Sequence, residues 1–397
     1  SMTAMEPWDR DELYAFLRTS YPYRDLPGKH FDLVLEMLGG RYEGHPLRGL
    51  AALVSLDRVA GTVGPRPGLA TRVYASGGTI PDRGYYHLRR EGTSALLGEL
   101  DEEFVWERSI GDAFTLGVQT WRIERITHND VFVSPSGARQ ALAPFWRAES
   151  RDRGFELSER IARFLEVAEP RLDDPAFPRA LERSHRLERE AAEGLLEYLR
   201  AQRAATRVLP HRHRVVIERV AGIAGESWTV LHTMWGGRVN RALALALAAT
   251  WRRRHGAALE VLHDDASVAM GTGDTAAEIL RAVADGAVDD LVRDELSRTG
   301  FFGAHFREAA ACALLLPRAG FRRRTPLWLS RQRAKALLDA LRGVGDFPVV
   351  LEAWWSCLAY ALDLPTLTSL LGELRDGRIL VCSTASPETS PFAADTV

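Results

Sequence analysis

The sequence predicts an α+β protein that begins with a partial winged helix, continues into an antiparallel β meander or barrel-like region, and ends in a mixed α+β and helical part. Three observations predict this class. Two amphipathic helical stretches precede a turn-rich hairpin, short β-branched and aromatic runs follow, and charged helical stretches fill most of the remainder. We place a winged-helix-like domain at residues 1–87, an accessory domain at 88–383 and a disordered tail at 384–397.

The first 75 residues carry the signals of two helices and a hairpin. Asp9 is placed to cap a helix that runs to about Thr19, and Pro27-Gly28 separates it from a second amphipathic stretch at 30–38. The region 53–75 is extended and interrupted by glycine and proline. A complete winged helix needs one more helix upstream, so we expect the first helix to be missing.

The accessory domain divides into a β region at 88–146 and an α+β and helical region at 147–383. Gly-Asp and Asn-Asp turns separate the short strands of the β region, including one predicted at Phe104-Val105-Trp106. Periodicity then predicts helices at 156–166 and 177–202, strands at 214–220 and 228–234, a helix at 239–254, strands at 259–263 and 267–270, mostly helices over 275–374, and a last strand at 378–382. The Ser/Thr/Pro content of 384–397 predicts disorder.

The composition excludes several function classes. Hydrophobic residues make up 46% and charged residues 26%, no apolar run is long enough to cross a membrane, and the acidic N-terminus is unlike a signal peptide. The three cysteines, Cys312, Cys357 and Cys382, have neither zinc-motif nor disulfide-framework spacing. We therefore expect a protein of the reducing cytoplasm with no membrane partner.

The sequence around the lysines indicates whether this chain has a phosphate-binding loop for ATP. The net charge is −2, and Lys29 and Lys335 are the two lysines among 51 basic residues. A P-loop has the pattern G-x-x-x-x-G-K-[ST], whose lysine reaches the β- and γ-phosphates. His30 follows the first lysine and Ala334 precedes the second, so neither fits. Any motor must lie on another part of the polypeptide, and the abundant arginines are suited to gripping phosphates and stacking on bases.

Several motifs occur in one order along nearly the whole chain, from about Trp8 to Ala393. They are SGGTIPDRG (76–84), GELDEE (98–103), GDAFTLG (111–117), WRI (121–123), PFW (144–146), HTMWGGRVNR (232–241) and FGAHFREAA (302–310). In order and spacing they resemble the region that follows the two RecA-like motor domains of Lhr (large helicase-related) superfamily 2 helicases.

The resemblance implies a helicase that uses ATP and Mg²⁺ in its motor domains to translocate 3′ to 5′ on single-stranded DNA. Such an enzyme would unwind duplexes, notably RNA:DNA hybrids, in DNA repair, and would be cytoplasmic and associated with the nucleoid. This chain would bind no cofactor. It would wrap the tracking strand beside the RecA-like domains of the same polypeptide.

The same resemblance places a strand-contacting tryptophan at Trp146, next to Arg147. We favour base stacking there, worth about 1–3 kcal/mol per base, over an ordinary anchor tryptophan. Ile80 resembles an apolar contact from the winged helix to DNA, and the alternative is a buried isoleucine at a domain joint. Arg83 suits a phosphate contact or a pair with Asp82.

Two groups of cations are further candidates. Residues 318–335 hold seven cations and no acid, including Arg322, Arg323 and Arg324, which favours a funnel for phosphates over a solvated face. Arg238, Asn240 and Arg241 follow two glycines at a helix start, where either an anion binds or an asparagine caps the turn.

A metal site is not predicted. His211 and His213 share a face of a strand, but no third ligand is evident near them in the sequence, and His263-Asp264-Asp265 is unlinked by spacing. The acidic run around Glu102 suits an exposed loop or a contact to a motor domain. Two other functions stay open: a metal-dependent hydrolase using histidines and aspartates, and a scaffold that holds helicase domains together.

Overall fold

The structure is a computed structural model. It describes residues 2–42, 45–46, 51–75, 85–93, 95–106, 108, 110–116, 119–136, 152–221, 227–272, 275–297, 300–316, 327–341, 344, 346–385 and 389–394. These residues form a mixed α+β fold, as the sequence predicted.

α-Helices make up a little under half of the described residues. They are α1 (Arg10–Arg18), α2 (Gly28–Leu38), α3 (Leu69–Ala75), α4 (Glu102–Trp106), α5 (Phe155–Ala168), α6 (Phe177–His185), α7 (Arg189–Thr206), α8 (Gly237–His255), α9 (Ala276–Asp285), α10 (Val288–Leu296), α11 (Gly300–Cys312), α12 (Leu327–Ala340), α13 (Pro348–Trp355) and α14 (Leu364–Arg375).

The strands form two large and two small sheets. They are β1 (Trp8–Asp9), β2 (Arg41–Tyr42), β3 (His45–Pro46), β4 (Val54–Asp57), β5 (Thr62–Pro65), β6 (Tyr85–Arg90), β7 (Leu96–Asp101), β8 (Ala113–Leu116), β9 (Gln119–Ile126), β10 (Asp130–Pro135), β11 (Arg214–Ala221), β12 (Ser227–His232), β13 (Val261–His263), β14 (Ser267–Met270) and β15 (Leu380–Ala385).

The chain divides into two compact units, and both are discontinuous. Unit 1 combines residues 1–136 with 299–357, and unit 2 combines 137–298 with 358–397. The boundaries predicted at 87 and 383 stay predictions, and they divide the chain differently from these two units. Helices α12 and α13 both pack on α11, and α11 also packs against α4, so this helical stretch belongs with the N-terminal unit.

Unit 1 begins with a winged helix in the expected element order. The sheet has the order β1-β5-β4, and α1 and α2 lie between β1 and β4 in sequence. Asp9 caps α1 because its Oδ1 accepts from the N–H groups of Asp11 (2.8 Å) and Glu12 (3.1 Å). Leu13 and Phe31 from the two helices are buried together with Val63 of the wing. Upstream of β1, the described residues 2–4 form a single 3-10 turn, and α3 packs against it.

The β region of unit 1 is a five-stranded open sheet with the order β7-β6-β10-β9-β8. It corrects the prediction in two respects. Strand β10 pairs with β6 in parallel, so the sheet is not a purely antiparallel meander, and the sheet does not close into a barrel among the described strands. The predicted strand at 104–106 is instead part of α4, whose Phe104 and Val105 pack into the core below the sheet.

Unit 2 is built on a mixed sheet with the order β13-β14-β12-β11-β15, in which β15 pairs with β11 in parallel. The predicted Ala/Leu helix is α8, and it packs against α9, α10 and β13. Gly256, with φ +69°, ends it in the left-handed conformation that glycine adopts without strain. A separate cluster of buried apolar side chains joins α5, α6 and α7.

The prediction of a disordered tail at 384–397 is corrected for the residues that the structure describes there, because several of them are packed. Thr384 and Ala385 belong to β15, and Ser390 donates through its N–H and its hydroxyl to the buried carboxylate of Glu218. Burial alone would raise the pKa of Glu218, but hydrogen bonds from His232 and Ser390 outweigh it and hold the pKa below the ordinary value. A polar segment is ordered here because it satisfies a carboxylate that the sheet buries.

Candidate nucleic-acid interface

Most residues predicted to contact nucleic acid lie outside the described residues. They are Ile80, Arg83, Trp146, Arg147, Arg322, Arg323 and Arg324. Their assignments stay predictions. The described chain includes the other three candidates, Arg238, Asn240 and Arg241, all on the first two turns of α8. The start of α8 is therefore the part of the predicted interface that the structure shows.

Two glycines bring the chain into α8 at a point where no side chain fits. Gly236 has φ +89°, and a Cβ there would lie 2.4 Å from the carbonyl oxygen of Arg153. A Cβ on Gly237 would lie 2.6 Å from Asp152 Oδ1 and 2.7 Å from Asp265 Oδ1. The Gly-Gly pair is thus needed because neighbouring backbone and two carboxylates crowd the turn.

The backbone at the start of α8 already has an anionic partner. The N–H of Gly237 donates to Asp265 Oδ1 (3.0 Å), and the same oxygen accepts from the N–H of Arg153 (2.7 Å). A carboxylate in this position interacts favourably with the helix dipole. Asp265 therefore already accepts from the N–H of Gly237, one of the backbone donors that an external anion at this helix start would use.

Asn240 has a structural role that the sequence did not show. Its side chain is fully buried, its Oδ1 accepts from the hydroxyl of Thr233 (2.7 Å), and its Nδ2 donates to the carbonyl oxygen of Asp264 (2.8 Å). The amide thereby joins the end of β12 to the turn before β14. Asn240 is therefore neither the predicted cap nor accessible to a strand, and we do not carry it into the proposed interface.

The two candidate arginines of α8, Arg238 and Arg241, are partly exposed. Arg238 is partly exposed and donates to the carbonyl oxygen of Tyr360 (3.1 Å). The guanidinium of Arg241 lies 3.4 Å from Asp152 Oδ2. Burial raises the pKa of Asp152 above its ordinary value, although the charge of Arg241 acts in the opposite direction. Both guanidiniums are thus fixed by protein oxygens and can still donate to a phosphate.

The described part of the arginine block at 318–335 contributes Arg331 to a buried charge cluster. Arg331 on α12 donates through Nε to Glu102 Oε1 (2.8 Å) and through Nη1 to the carbonyl oxygen of His128 (2.8 Å). Arg307 on α11 donates to the same oxygen of Glu102. Glu102 and Arg307 are almost fully buried. Arg331 therefore pairs inside unit 1, whereas the sequence placed it in a phosphate funnel or on a solvated face.

The cluster of Glu102, Arg307 and Arg331 also corrects the interpretation of the acidic run as an exposed loop. One feature of the sequence is consistent with a buried ion pair involving this block. The block at 318–335 has seven cations and no acid, so any buried member of it needs a carboxylate from elsewhere in the chain. Nothing in the sequence identified Arg331 as that member. Arg333 and Lys335, two and four residues further along α12, are exposed.

The two histidines considered for metal binding acquire a third potential ligand. Glu166 on α5 places a carboxylate oxygen 2.8 Å from His213 Nδ1 and 3.6 Å from His211 Nδ1. Burial lowers the pKa of His211 below the ordinary value, with the charge of Arg214 acting in the same direction. The sequence missed Glu166 because it lies 45 residues before His211 on a helix whose facing is set only by packing.

Comparison with known proteins agrees with this architecture. Residues 1–143 match the winged helix domain of large helicase-related proteins, and residues 209–393 match the DEAD/H-associated domain. Among the described residues, no helix is both long and apolar enough to span a membrane. The fold is thus that of a winged-helix and DEAD/H-associated region, the part of such helicases that follows the motor domains.

The chain belongs to the Lhr family. It is 35% identical to the Lhr helicase/uracil glycosylase of Escherichia coli over 98% of its length, and 37% identical to the Lhr helicase/probable uracil glycosylase of Mycolicibacterium smegmatis over 99%. It spans 26% of the length of each relative. The structure of Mycobacterium smegmatis helicase Lhr bound to ssDNA and AMP-PNP matches 99% of this chain with a TM-score of 0.75 and 32% identity, and this chain covers 46% of it.

Proposed function

We propose that the chain is the module that holds single-stranded DNA in an ATP-dependent 3′–5′ DNA helicase. The observation that carries the proposal is its likeness, over 99% of its length, to a helicase Lhr solved with ssDNA and AMP-PNP. The tracking strand would be wrapped beside two RecA-like motor domains of the same polypeptide. The parent enzyme would unwind duplexes, including RNA:DNA hybrids, in DNA repair at the nucleoid in the cytoplasm.

ATP and Mg²⁺ belong, in this proposal, to the motor domains. The residues of this chain do not fit an ATP site, because neither Lys29 nor Lys335 stands in a phosphate-binding loop pattern. The chain would act on the strand alone. It would keep the DNA in place while each closure of the motor domains moves them along it.

Three kinds of contact would hold the strand. Guanidiniums would bind phosphates in a sequence-independent way, with Arg238 and Arg241 held ready at the start of α8. Trp146 would stack on a base, and every base offers a face for stacking. Ile80 would add an apolar contact. Further phosphate contacts would come from Arg83, Arg147, Arg322, Arg323 and Arg324.

Salt dependence of DNA affinity tests the phosphate contacts. For the purified chain and labelled oligo-dT, the logarithm of the binding constant should fall by about 0.7 per log unit of salt for each phosphate neutralised. The triple variant Arg322→Ala, Arg323→Ala, Arg324→Ala should therefore flatten the slope by about 2. Fluorescence anisotropy at four or more salt concentrations measures it.

A matched triple variant controls for the loss of charge alone. Arg160, Arg179 and Arg183 are exposed on α5 and α6, and their replacement by alanine removes the same three charges. We expect that variant to keep the wild-type slope. If the variant at 322–324 also kept it, the block would face solvent or a protein partner.

A scaffold role is the second candidate, and one observation favours it. In unit 1 the charge cluster of Glu102, Arg307 and Arg331 joins segments that are about 200 residues apart in sequence. Such an arrangement suits a rigid support for neighbouring domains. A scaffold without a strand-binding role would show no salt-dependent binding of oligo-dT.

A further inference from the structure

The side chains of Glu166, His211 and His213 form a three-residue cluster at the start of β11. One ligand-competent atom from each lies within 4.8 Å of the others. His213 and Glu166 have 43% and 35% of their side chains exposed, whereas that of His211 is 10% exposed. The cluster is thus anchored on the buried side and open to solvent on the other.

Local structure holds the two imidazoles in place. The N–H of His211 donates to the carbonyl oxygen of Arg214 (3.0 Å), and the N–H of Arg214 donates back to that of His211 (2.9 Å), which closes a tight turn. Between the histidines, Arg212 is buried and its guanidinium pairs with Glu159 (2.8 Å) and Glu373 (2.8 Å). The rings themselves are held by two hydrogen bonds, because His211 Nδ1 accepts from the N–H of His213 (3.2 Å) and His213 Nδ1 pairs with Glu166 (2.8 Å).

Glu166 differs from the carboxylates around it. Glu159 and Glu373 pair with Arg212, and Glu169 pairs with Arg214 (2.6 Å). The hydrogen bond that the described structure gives Glu166 joins it instead to the imidazole of His213 (2.8 Å). The cluster thus combines one carboxylate with two imidazoles, while guanidinium groups neutralise the neighbouring acids.

We propose that Glu166, His211 and His213 bind a divalent first-row transition-metal ion, with Zn²⁺ the best match. Two imidazole nitrogens and one carboxylate oxygen are a known zinc ligand set, and Mg²⁺ and Ca²⁺ prefer oxygen ligands alone. Bonds of about 2.0–2.1 Å in a tetrahedron place the ligand atoms about 3.3 Å apart. That value lies between the distances from the Glu166 carboxylate oxygen to His213 Nδ1 (2.8 Å) and to His211 Nδ1 (3.6 Å). Water would complete the tetrahedron from the exposed side, and the ion would tie α5 to the turn before β11.

Metal titration of the purified, chelator-treated chain tests this proposal. Calorimetry with Zn²⁺ should show a binding event with a stoichiometry of one. His213→Ala and Glu166→Gln should each weaken the affinity for Zn²⁺ about tenfold or more. The reason is that losing a direct ligand should cost at least as much affinity as losing a residue that only supports a ligand. His185→Ala, which removes an exposed histidine on α6, should bind Zn²⁺ as the wild type does.

Co²⁺ provides a readout of the ligand atoms. A site of nitrogen and oxygen ligands should give visible d–d absorption without the near-ultraviolet band of a cobalt–thiolate bond. Zn²⁺ should also raise the Tm of the wild type and not that of His213→Ala. No binding of Zn²⁺, unchanged affinity in both cluster variants, or a thiolate band that is lost in Cys312→Ser would each overturn the proposal.

Discussion

Replacing Glu102 with alanine is expected to lower the free energy of unfolding of the chain by about 3–5 kcal/mol, because two guanidiniums lose their carboxylate in a buried site. Arg307 is 4% exposed, and the side chain of Arg331 is 10% exposed, so water cannot fully replace the lost partner. Urea unfolding followed by circular dichroism measures the effect.

A second acid in the same acidic run serves as the control. Glu99 is exposed, and its carboxylate lies 3.6 Å from His87, so Glu99→Ala should change stability by less than about 0.5 kcal/mol. A loss below about 1 kcal/mol for Glu102→Ala would mean that Arg307 and Arg331 find other partners. The charge cluster would then not be what holds α11 and α12 in unit 1.

Replacing Trp146 with alanine in the full-length parent helicase is expected to uncouple ATP hydrolysis from movement. Contacts from cationic side chains to the phosphate backbone alone hold a strand loosely. A ring stacked on a base contributes about 1–3 kcal/mol per base and binds any sequence. DNA-dependent ATPase should therefore stay close to wild type while translocation and unwinding collapse. Trp146→Phe should restore part of the unwinding, since a smaller ring still stacks.

A structural role for Trp146 gives a different pattern. Truncating a buried tryptophan typically costs about 3–5 kcal/mol, so the Tm of Trp146→Ala should be measured before its activity. A large fall in Tm, with ATPase and unwinding lost together, would assign Trp146 to the core and remove it from the interface.

Local patterns predicted the helices and strands well. Asp9 caps α1 as expected, and the Ala/Leu periodicity after Gly237 became α8. The errors in secondary structure arose where contacts with distant parts of the chain decide whether a segment is helix or strand. Phe104 and Val105 have strong strand propensity, but they form a short helix in which both side chains and that of Glu102 are buried. Propensity is a weak guide for a segment of only five residues when burial of its side chains decides its conformation.

The candidate site was less predictable than the fold. The Gly-Gly turn was recognised, but the anion beside it proved to be Asp265, a residue 28 positions further along the chain. Asn240 and Arg331 have the chemistry of surface contacts in the sequence, and only the packing around them shows that they are buried or paired. Charge and residue type identify what a side chain can bind, whereas its partner depends on contacts distant in sequence.

Hydrogen exchange of the purified chain, with and without oligo-dT at low salt, tests the central claim most directly. If this chain itself holds the strand, amides in 137–151, around Trp146, and in the first turns of α8 should exchange more slowly with DNA. Amides of α6 should be unchanged. Identical exchange throughout the chain at saturating oligo-dT would contradict the account.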